Sequence, residues 1–312
     1  MDRRTFLKTL AAAGMAFAIK MKGGVNVFAQ STGDQTENSA DLVAVIGGEP
    51  AAMFQKAIDE MGGIGKFVKR GQTIVVKPNI GWDRAPEMGA TTNPLLLTEI
   101  IRQCLAAGAK EVIVFDNTCD EWRRSYASSG IEAAAKAAGA RVLPANLESY
   151  FTPVSLPQGK RLKNAKIFSA LLNCDAWINV PVLKHHSGGN MSISMKNLMG
   201  IVWDRRAFHR TDLQQCIADV CTLDKKPVLN VVDAYRSMKT NGPRGRTIDD
   251  VAVSKALFVS RDMVAVDTAA TRFFASQIRE IPLEYVKHIS YGQELKVGTM
   301  DIENLNVKRI RM

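Results

Sequence analysis

Ala176-Trp177-Ile178-Asn179-Val180 is a short apolar run that reaches Pro181 and then continues as Val182-Leu183-Lys184-His185-His186. Short apolar runs rich in Val and Ile are typical of strands that are covered on both faces of a sheet. Five further runs have this character, at residues 42–46, 73–77, 111–115, 228–232 and 256–259. We therefore predict six buried strands.

Helical patterns lie between these runs. Asn93-Pro94 is a favourable N-cap and first-turn pair, and apolar residues then recur at helical spacing up to Gly108. Further helices are predicted over residues 131–138, 212–223 and 263–276, the last capped by Asp262. The alternation of strands and helices predicts an α/β fold, with a mostly parallel sheet, right-handed crossovers and helices on both faces, in one domain or two lobes.

Two segments interrupt this alternation. Residues 144–166 contain Pro153, Pro157 and Gly159, and they predict a hairpin insertion or a lobe boundary. Residues 191–202 place methionine, leucine and valine at helical spacing. We interpret that pattern as a helix packed into the core and not as a set of metal-binding thioethers.

The chain opens with a twin arginine. Arg3-Arg4 is followed by Phe6-Leu7-Lys8 and an apolar run at 10–19, which together resemble a twin-arginine export signal. The run is about half the roughly 20 residues that span a bilayer. The predicted organisation is a signal peptide at 1–29, a flexible lead-in at 30–41 and an α/β domain at 42–312. The twin-arginine translocation machinery is then a partner, and the location is periplasmic or otherwise extracytoplasmic. An ordinary secretory signal and an uncleaved anchor stay open.

The charge and the cysteine content argue against several classes of function. The formal net charge is +10, and removal of residues 1–29 takes away five basic residues and one acidic residue to leave +6. The basic residues do not form a run with interleaved aromatic residues, so nucleic-acid binding is not expected. The five cysteines contain no Cys-x-x-Cys pair. We therefore expect neither an integral iron–sulfur cluster nor a zinc ribbon, and at most two disulfides.

Polar residues follow five of the six predicted strands. They are Asn79 after Lys77, then Asp116, the group Lys184-His185-His186, Asp233 and the group Ser260-Arg261-Asp262. In open parallel sheets, ligands bind outside the carboxyl ends of the strands. The pattern therefore predicts that these side chains converge on one site. Cys119 is also of interest because it follows the strand that ends beside Asp116.

Three of the four histidines lie within residues 185–209, together with Lys196 and Asn197. This composition suits either of two chemistries. Lysines could hold a carboxylate or phosphate while a histidine moves a proton, or histidines and carboxylates could bind a divalent metal. Because His185 and His186 are adjacent on extended chain, they should point in opposite directions. We assign candidate roles as follows: catalytic, His186, Lys196 and His209; substrate-binding, Lys77, Asn79, Lys184 and Asn197; metal-binding, Asp116, His185 and Asp233.

Several motifs carry a family resemblance. The chain resembles the family catalogued as domain of unknown function 362 in Lys77-Pro78-Asn79, Thr92-Asn93-Pro94, Asn179 to Lys184, Met195 to Gly200, Val232-Asp233-Ala234 and Val264 to Asp267. The motifs occur in order over nearly all of the mature chain. The family has no assigned biochemistry, and many members carry a twin-arginine leader or an appended iron–sulfur ferredoxin segment. This chain lacks clustered cysteines, so an integral cluster is not expected from the resemblance, and a redox partner stays open.

A second resemblance is local. His186, the pair Gly188-Gly189, Lys196 and His209 are similar in order to the nickel-pincer lactate racemases. In that family a lysine anchors a pyridinium-derived cofactor, and histidines ligate nickel or assist proton and hydride transfer. Other signature elements of that family are not evident in this chain.

The sequence as a whole predicts an exported enzyme that acts on a small anionic substrate, with a metal or a preloaded cofactor. The alternative from another class is a non-catalytic metal- or anion-binding protein that serves a redox or assembly partner. Substrate, reaction class, metal identity and oligomeric state are left open by the residues.

Overall fold

A computed structural model describes residues 39–312. The predicted export signal at 1–29 lies outside the described residues, as does residue range 30–38 of the predicted lead-in. Ala40 is already buried, and its backbone N–H donates to the Glu60 carbonyl over 2.9 Å. Packed structure thus begins before residue 42.

Twelve strands are present in the described residues. They are β1 (Leu42–Ile46), β2 (Thr73–Pro78), β3 (Glu111–Val114), β4 (Arg141–Val142), β5 (Phe151–Ser155), β6 (Asn164–Phe168), β7 (Ala176–Val180), β8 (Val182–His186), β9 (Asn190–Ser192), β10 (Leu229–Met238), β11 (Val251–Ser260) and β12 (Val307–Arg311). Ten of them form one sheet in the order β12-β1-β11-β10-β7-β2-β3-β4, with β8 beside β10 and β9 beside β8. The two others, β5 and β6, form the hairpin predicted for residues 144–166.

Ten α-helices of the described residues connect and cover these strands. They are α1 (Pro50–Glu60), α2 (Pro94–Ala106), α3 (Trp122–Ser128), α4 (Ile131–Ala137), α5 (Ser169–Asn173), α6 (Ser194–Asn197), α7 (Arg206–Thr211), α8 (Leu213–Val220), α9 (Met263–Gln277) and α10 (Lys287–Glu294). The predicted caps form. Asn93 accepts the Leu95 N–H at the start of α2 over 2.9 Å, and Asp262 accepts the Val264 N–H at the start of α9 over 2.8 Å.

The sheet is mixed and mostly parallel, as predicted. Strand β11 runs antiparallel to both neighbours, β1 and β10, whereas the other adjacent pairs from β12 to β4 are parallel. Ser260, at the carboxyl end of β11, therefore pairs with Leu42 at the start of β1. The prediction that Ser260-Arg261-Asp262 joins the other strand ends is wrong, because β11 points to the opposite edge.

Helices cover both faces of the sheet, as predicted. The alternation of β2 shows this directly, since Val75 packs into one apolar cluster while Ile74 and Val76 pack into the other. Phe54 of α1 lies in the cluster with Ile74, and Phe274 of α9 lies in the cluster with Val75. Full burial of one such side chain contributes about 1.5–3 kcal/mol, so both faces stabilise the sheet.

The predicted helix over residues 191–202 is wrong in part. The segment forms β9, then the single turn α6, then a 3₁₀ turn at Leu198–Ile201. Asp267 of α9 is the physical reason, because its two carboxylate oxygens accept the N–H groups of Ser194 and Met195 over 2.8 and 2.9 Å and so fix the start of α6. The apolar side chains of the segment are nevertheless in the core, as expected.

Residues 39–312 form one compact unit. Among these residues we find no helix with the length and apolar character that a membrane crossing requires.

Candidate functional site

A cavity of about 750 Å³ opens at the edge of the sheet where β2 and β8 end. Five basic and two acidic side chains contribute to its wall. The lining residues are Lys77, Asn79, Gly81, Trp82, Asp116, Asn117, Thr118, Cys119, Lys184, His186, Ser192, Lys196, Asn197, Met199, Gly200, Trp203, Asp204, Arg205, Arg206, His209 and Pro243. Eight of the ten predicted site residues are in this set, and the other two, His185 and Asp233, are not.

One buried ion pair forms the floor of the cavity. Lys77 is the penultimate residue of β2, and its Nζ lies 2.8 Å from Oδ1 of Asp116, which follows β3. Burial lowers the pKa of Lys77, and the Asp116 carboxylate opposes that effect. The other carboxylate oxygen accepts the Ile80 N–H over 2.7 Å. Both partners are therefore held in place, because β2 and β3 are hydrogen-bonded neighbours.

A glycine makes room for this pair. A Cβ on Gly200 would lie 1.9 Å from Asp116 Oδ1 and 2.6 Å from Lys77 Nζ. The turn that contains Gly200 also binds the loop after β3, since the Asn117 N–H donates to the Gly200 carbonyl over 3.0 Å. Close approach of backbone to the ion pair thus requires glycine at this position.

Asparagine side chains connect the strand ends to α6. Asn197 Oδ1 accepts from Lys77 Nζ over 3.0 Å and from Asn79 Nδ2 over 3.2 Å. Its own Nδ2 donates to Asn179 Oδ1 of β7 over 2.8 Å. This network is buried or nearly so, and it fixes the orientation of the Asn79 and Asn197 amides, which border the cavity.

Lys184 is buried without a carboxylate partner among the described residues. It is 1% exposed, and its Nζ donates to the Ala90 carbonyl and, over 3.4 Å, to Asn79 Oδ1. Burial is the main cause that lowers the pKa of Lys184 to about 7; Cys119 opposes it, and the ammonium groups of Lys196 and Lys77 contribute smaller decreases. The Lys184 backbone is paired on both sides, with Ser192 of β9 and Met238 of β10.

Lys196 on α6 is the second such lysine. It is 9% exposed, and the polar contact of its Nζ within the described residues is the Met199 sulfur at 3.3 Å. Burial lowers the pKa of Lys196 to about 8. Gly189 allows the stem of Lys196 to pass, since a Cβ there would lie 2.9 Å from Lys196 Cε.

His186 is a neutral imidazole in this environment. Its Nδ1 accepts the N–H groups of Gly188 and Gly189, each over 3.0 Å, and burial lowers its pKa to about 2. An acceptor at Nδ1 places the ring proton on Nε2. His209 on α7 is exposed overall, although partial desolvation of its ring, with Lys196 and Arg205 nearby, lowers its pKa.

The predicted metal-binding set does not assemble. Asp233 uses its carboxylate to accept the N–H groups of Asn93 and Tyr235 over 2.7 and 3.0 Å, and burial raises its pKa to about 6. His185 alternates away from His186 on β8, as expected, and its Nδ1 accepts the Gly242 N–H over 3.1 Å. Asp116 is engaged by Lys77. Residues 39–312 contain no cluster of three histidine, cysteine or carboxylate side chains placed to hold a metal ion. The structure therefore does not bring Asp116, His185 and Asp233 together at one site, and a role of any of them in metal binding stays a prediction.

Two arginines that line the cavity were not among the residues predicted from the sequence. Arg205 and Arg206 follow the turn at Gly200, and Arg205 Nη1 donates to the Asn117 carbonyl over 2.7 Å and to Cys119 Sγ over 3.3 Å. Cys119 is exposed, whereas the other four cysteines are buried, and all five are free. The pattern that could have identified the arginines is their position in the run 203–208, directly before His209.

Comparison with known proteins places the chain in a family. The family model for the domain of unknown function 362 matches residues 74–272, which is more than half of the chain. The chain belongs to this family. The match spans β2 to α9 and thus every residue that lines the cavity.

A distant relative is thylakoid-associated protein sll1697 of Synechocystis sp., which is 22% identical over 246 residues that cover 74% of this chain and 75% of the relative. Among solved structures, the lactate racemase apoprotein of Thermoanaerobacterium thermosaccharolyticum aligns with TM-score 0.48 and 12% identity over 78% of this chain, and a Thermotoga maritima protein aligns with 0.47 and 12% over 79%. This chain spans 59% and 60% of their lengths.

Proposed function

We propose that the protein is an enzyme that binds a small organic anion in the cavity at the carboxyl edge of its sheet. The observation that carries the proposal is the pair Lys184 and Lys196, two buried lysines in one cavity without a carboxylate partner among the described residues. An isolated buried ammonium is unfavourable, so a site that retains two of them is suited to a ligand that supplies negative charge.

The rest of the wall supports an anionic ligand. Five basic side chains face two carboxylates, and Asp116 is already paired with Lys77. Arg205 and Arg206 add guanidinium donors, which suit carboxylate and phosphate groups. A volume of about 750 Å³ is within the range of small-molecule sites.

Groups that ionise near neutral pH support catalysis over simple storage. The pKa values of Lys184 and Lys196, about 7 and about 8, allow each to exchange a proton under ordinary conditions. His186 is held as a neutral donor through Nε2.

Calorimetric titration of the full chain tests the proposal. The probes are pyruvate, citrate and inorganic phosphate, and the variants are Lys184→Met and Lys196→Met, with Lys110→Met as the matched control. Lys110 is an exposed lysine directly before β3, at the opposite edge of the sheet. We expect wild type and the control to bind at least one probe equally. Each cavity variant should bind it about tenfold or more weakly, since a charged hydrogen bond contributes about 1.5–3 kcal/mol. Absence of binding by all three anions, or equal binding by all variants, overturns the proposal.

We further infer that the protein reaches the periplasm by the twin-arginine route. Arg3-Arg4 with Phe6-Leu7-Lys8 supports this inference. Fractionation of cells that express wild type and the double variant Arg3→Lys, Arg4→Lys provides the test. Wild type should be exported and the variant should stay in the cytoplasm, whereas export of both would favour an ordinary secretory signal.

A further inference from the structure

We propose that Lys184 is a covalent catalytic residue that forms a Schiff base with a small carbonyl compound bearing a carboxylate, that is, a 2-oxo acid. The inference rests on the proposed function and names its substrate class. The structural basis is the placement of Lys184 on the cavity wall, beside a second unpaired lysine and without a carboxylate within 4.0 Å among the described residues.

A comparison with Lys77 indicates why Lys184 suits a nucleophile. Lys77 has Asp116 at 2.8 Å, which favours its protonated form. Lys184 contacts two neutral oxygens, the Ala90 carbonyl and Asn79 Oδ1. These acceptors use two N–H groups and do not require the third, so a neutral amine satisfies them and keeps its lone pair available.

Electrostatics support the same assignment. Burial, and to a smaller extent the nearby ammonium groups, lowers the pKa of Lys184 to about 7, so that the neutral amine is accessible at neutral pH. Desolvation and a neighbouring cation are the two means by which enzymes activate a lysine toward carbonyl groups. A lysine that served only to hold an anion would bind better if it stayed fully charged.

The wall also supplies the groups that would hold the remaining part of such a substrate. Lys196 and Arg205 offer positive charge to a carboxylate, and Arg205 is itself fixed by the Asn117 carbonyl. The pairing of β8 with β9 and β10 positions the Lys184 backbone relative to these groups. A carboxylate thus placed brings its neighbouring carbonyl carbon into the same cavity as the amine.

The step balances without a further reactant. The Lys184 nitrogen forms a bond to the carbonyl carbon as the C=O π electrons move to oxygen, and the protons lost by nitrogen are taken up by that oxygen. The oxygen leaves as water, and the product is an imine between Lys184 and the substrate.

Reductive trapping tests the inference. The full chain is incubated with glyoxylate, pyruvate or 2-oxoglutarate in the presence of sodium borohydride, which reduces an imine to a stable secondary amine. Intact-mass measurement then reports the adduct, and peptide mapping locates it. Acetone serves as a carbonyl without a carboxylate, and oxalate as a competitor without a reactive carbonyl.

We expect a single adduct at Lys184 with at least one oxo acid, suppression by oxalate, and no comparable adduct with acetone. Lys184→Arg, which keeps a cation, should lose the adduct, and Lys110→Met should retain it. Adducts on surface lysines or Lys196 alone, or none with the three acids, overturn the Schiff base. If calorimetry still detects an anion in that case, the proposed function stands, and if it does not, both fail.

Discussion

Lys77 and Lys184 are two fully buried lysines on the same cavity wall, and they differ in their partners. Lys77 has a carboxylate from the next strand of the sheet, two further oxygen acceptors and a glycine that admits the pair. Lys184 has neutral oxygens alone among the described residues. The first arrangement stabilises a charge within the protein, whereas the second leaves a charge for a ligand to stabilise.

The difference in partners distinguishes buried polar groups that stabilise the fold from those that are available to bind a ligand. A buried ion pair with further hydrogen bonds is complete, so its removal should damage the fold. A buried cation without a counter-charge is a stability defect that a ligand site can retain. Substitution of Lys77 should therefore mainly reduce stability, whereas substitution of Lys184 should mainly reduce ligand binding.

The largest effect should come from Lys77→Met. It leaves the Asp116 carboxylate buried and unpaired, and we expect a loss of about 3–5 kcal/mol in the free energy of unfolding, measured with urea. Lys184→Met should lower that free energy by about 1 kcal/mol or less, because removal of an uncompensated charge offsets the lost hydrogen bonds. Equal losses in the two variants would contradict the comparison.

Gly200→Ala should be the next most severe change. The new methyl group would overlap Asp116 Oδ1 and Lys77 Nζ, so the ion pair must move. We expect about 2–3 kcal/mol of destabilisation by thermal or urea unfolding. Gly65→Ala is the matched control, since a Cβ there meets nothing within 4 Å, and it should change stability by about 0.5 kcal/mol or less.

A smaller effect concerns pH. The pKa of Lys184 is about 7 in the folded protein and about 10.4 in the unfolded chain, so between these values the unfolded state binds more protons. The contribution of Lys184 to the free energy of unfolding is therefore at its lowest below pH 7. It increases as the pH rises toward 10, by at most about 1.4 kcal/mol per pH unit.

Urea unfolding of wild type and Lys184→Met at several pH values measures that dependence. The difference in free energy of unfolding, wild type minus variant, should grow between pH 7 and pH 9. A difference that is constant over this range would show that Lys184 keeps an ordinary ammonium pKa.

The smallest effect on stability is expected for Cys119→Ser, about 0.5 kcal/mol or less, because the side chain is exposed. In native wild type, one thiol should react quickly with a maleimide and the variant should lose that reaction. A bound anion should slow the labelling, because Cys119 lines the cavity. Fast labelling of a second thiol would contradict the burial of the other four.

The sequence predicted the local elements well where burial leaves a continuous pattern. Residues 42–46 and 176–180 are strands with the predicted ends, and Asn93 and Asp262 cap helices as expected. The direction of β11 was not predictable, because an apolar strand has the same sequence pattern whether it pairs parallel or antiparallel with its neighbours. Its reversal removes Ser260-Arg261-Asp262 from the candidate site.

The residues of the candidate site also fall into two groups, those that the sequence could predict and those that it could not. Lys77, Lys184 and Lys196 were accessible to prediction because strand ends and motif order place them at one edge. Asp233 and His185 were not, since each meets a backbone N–H from a distant segment, Asn93 or Gly242, that local patterns do not reveal. Arg205 and Arg206 lie after the turn at Gly200 and outside any strand end, so the same argument did not reach them.

Proton uptake on anion binding is the most direct test of the central claim that Lys184 and Lys196 await a negative ligand. Calorimetric titration with the tightest-binding of pyruvate, citrate and phosphate, at pH 8 in two buffers of different ionisation enthalpy, gives the number of protons taken up. We predict uptake at pH 8 that falls toward zero near pH 6 and is reduced in Lys184→Met and Lys196→Met. Binding without proton uptake at pH 8, or uptake unchanged in both variants, would contradict the account.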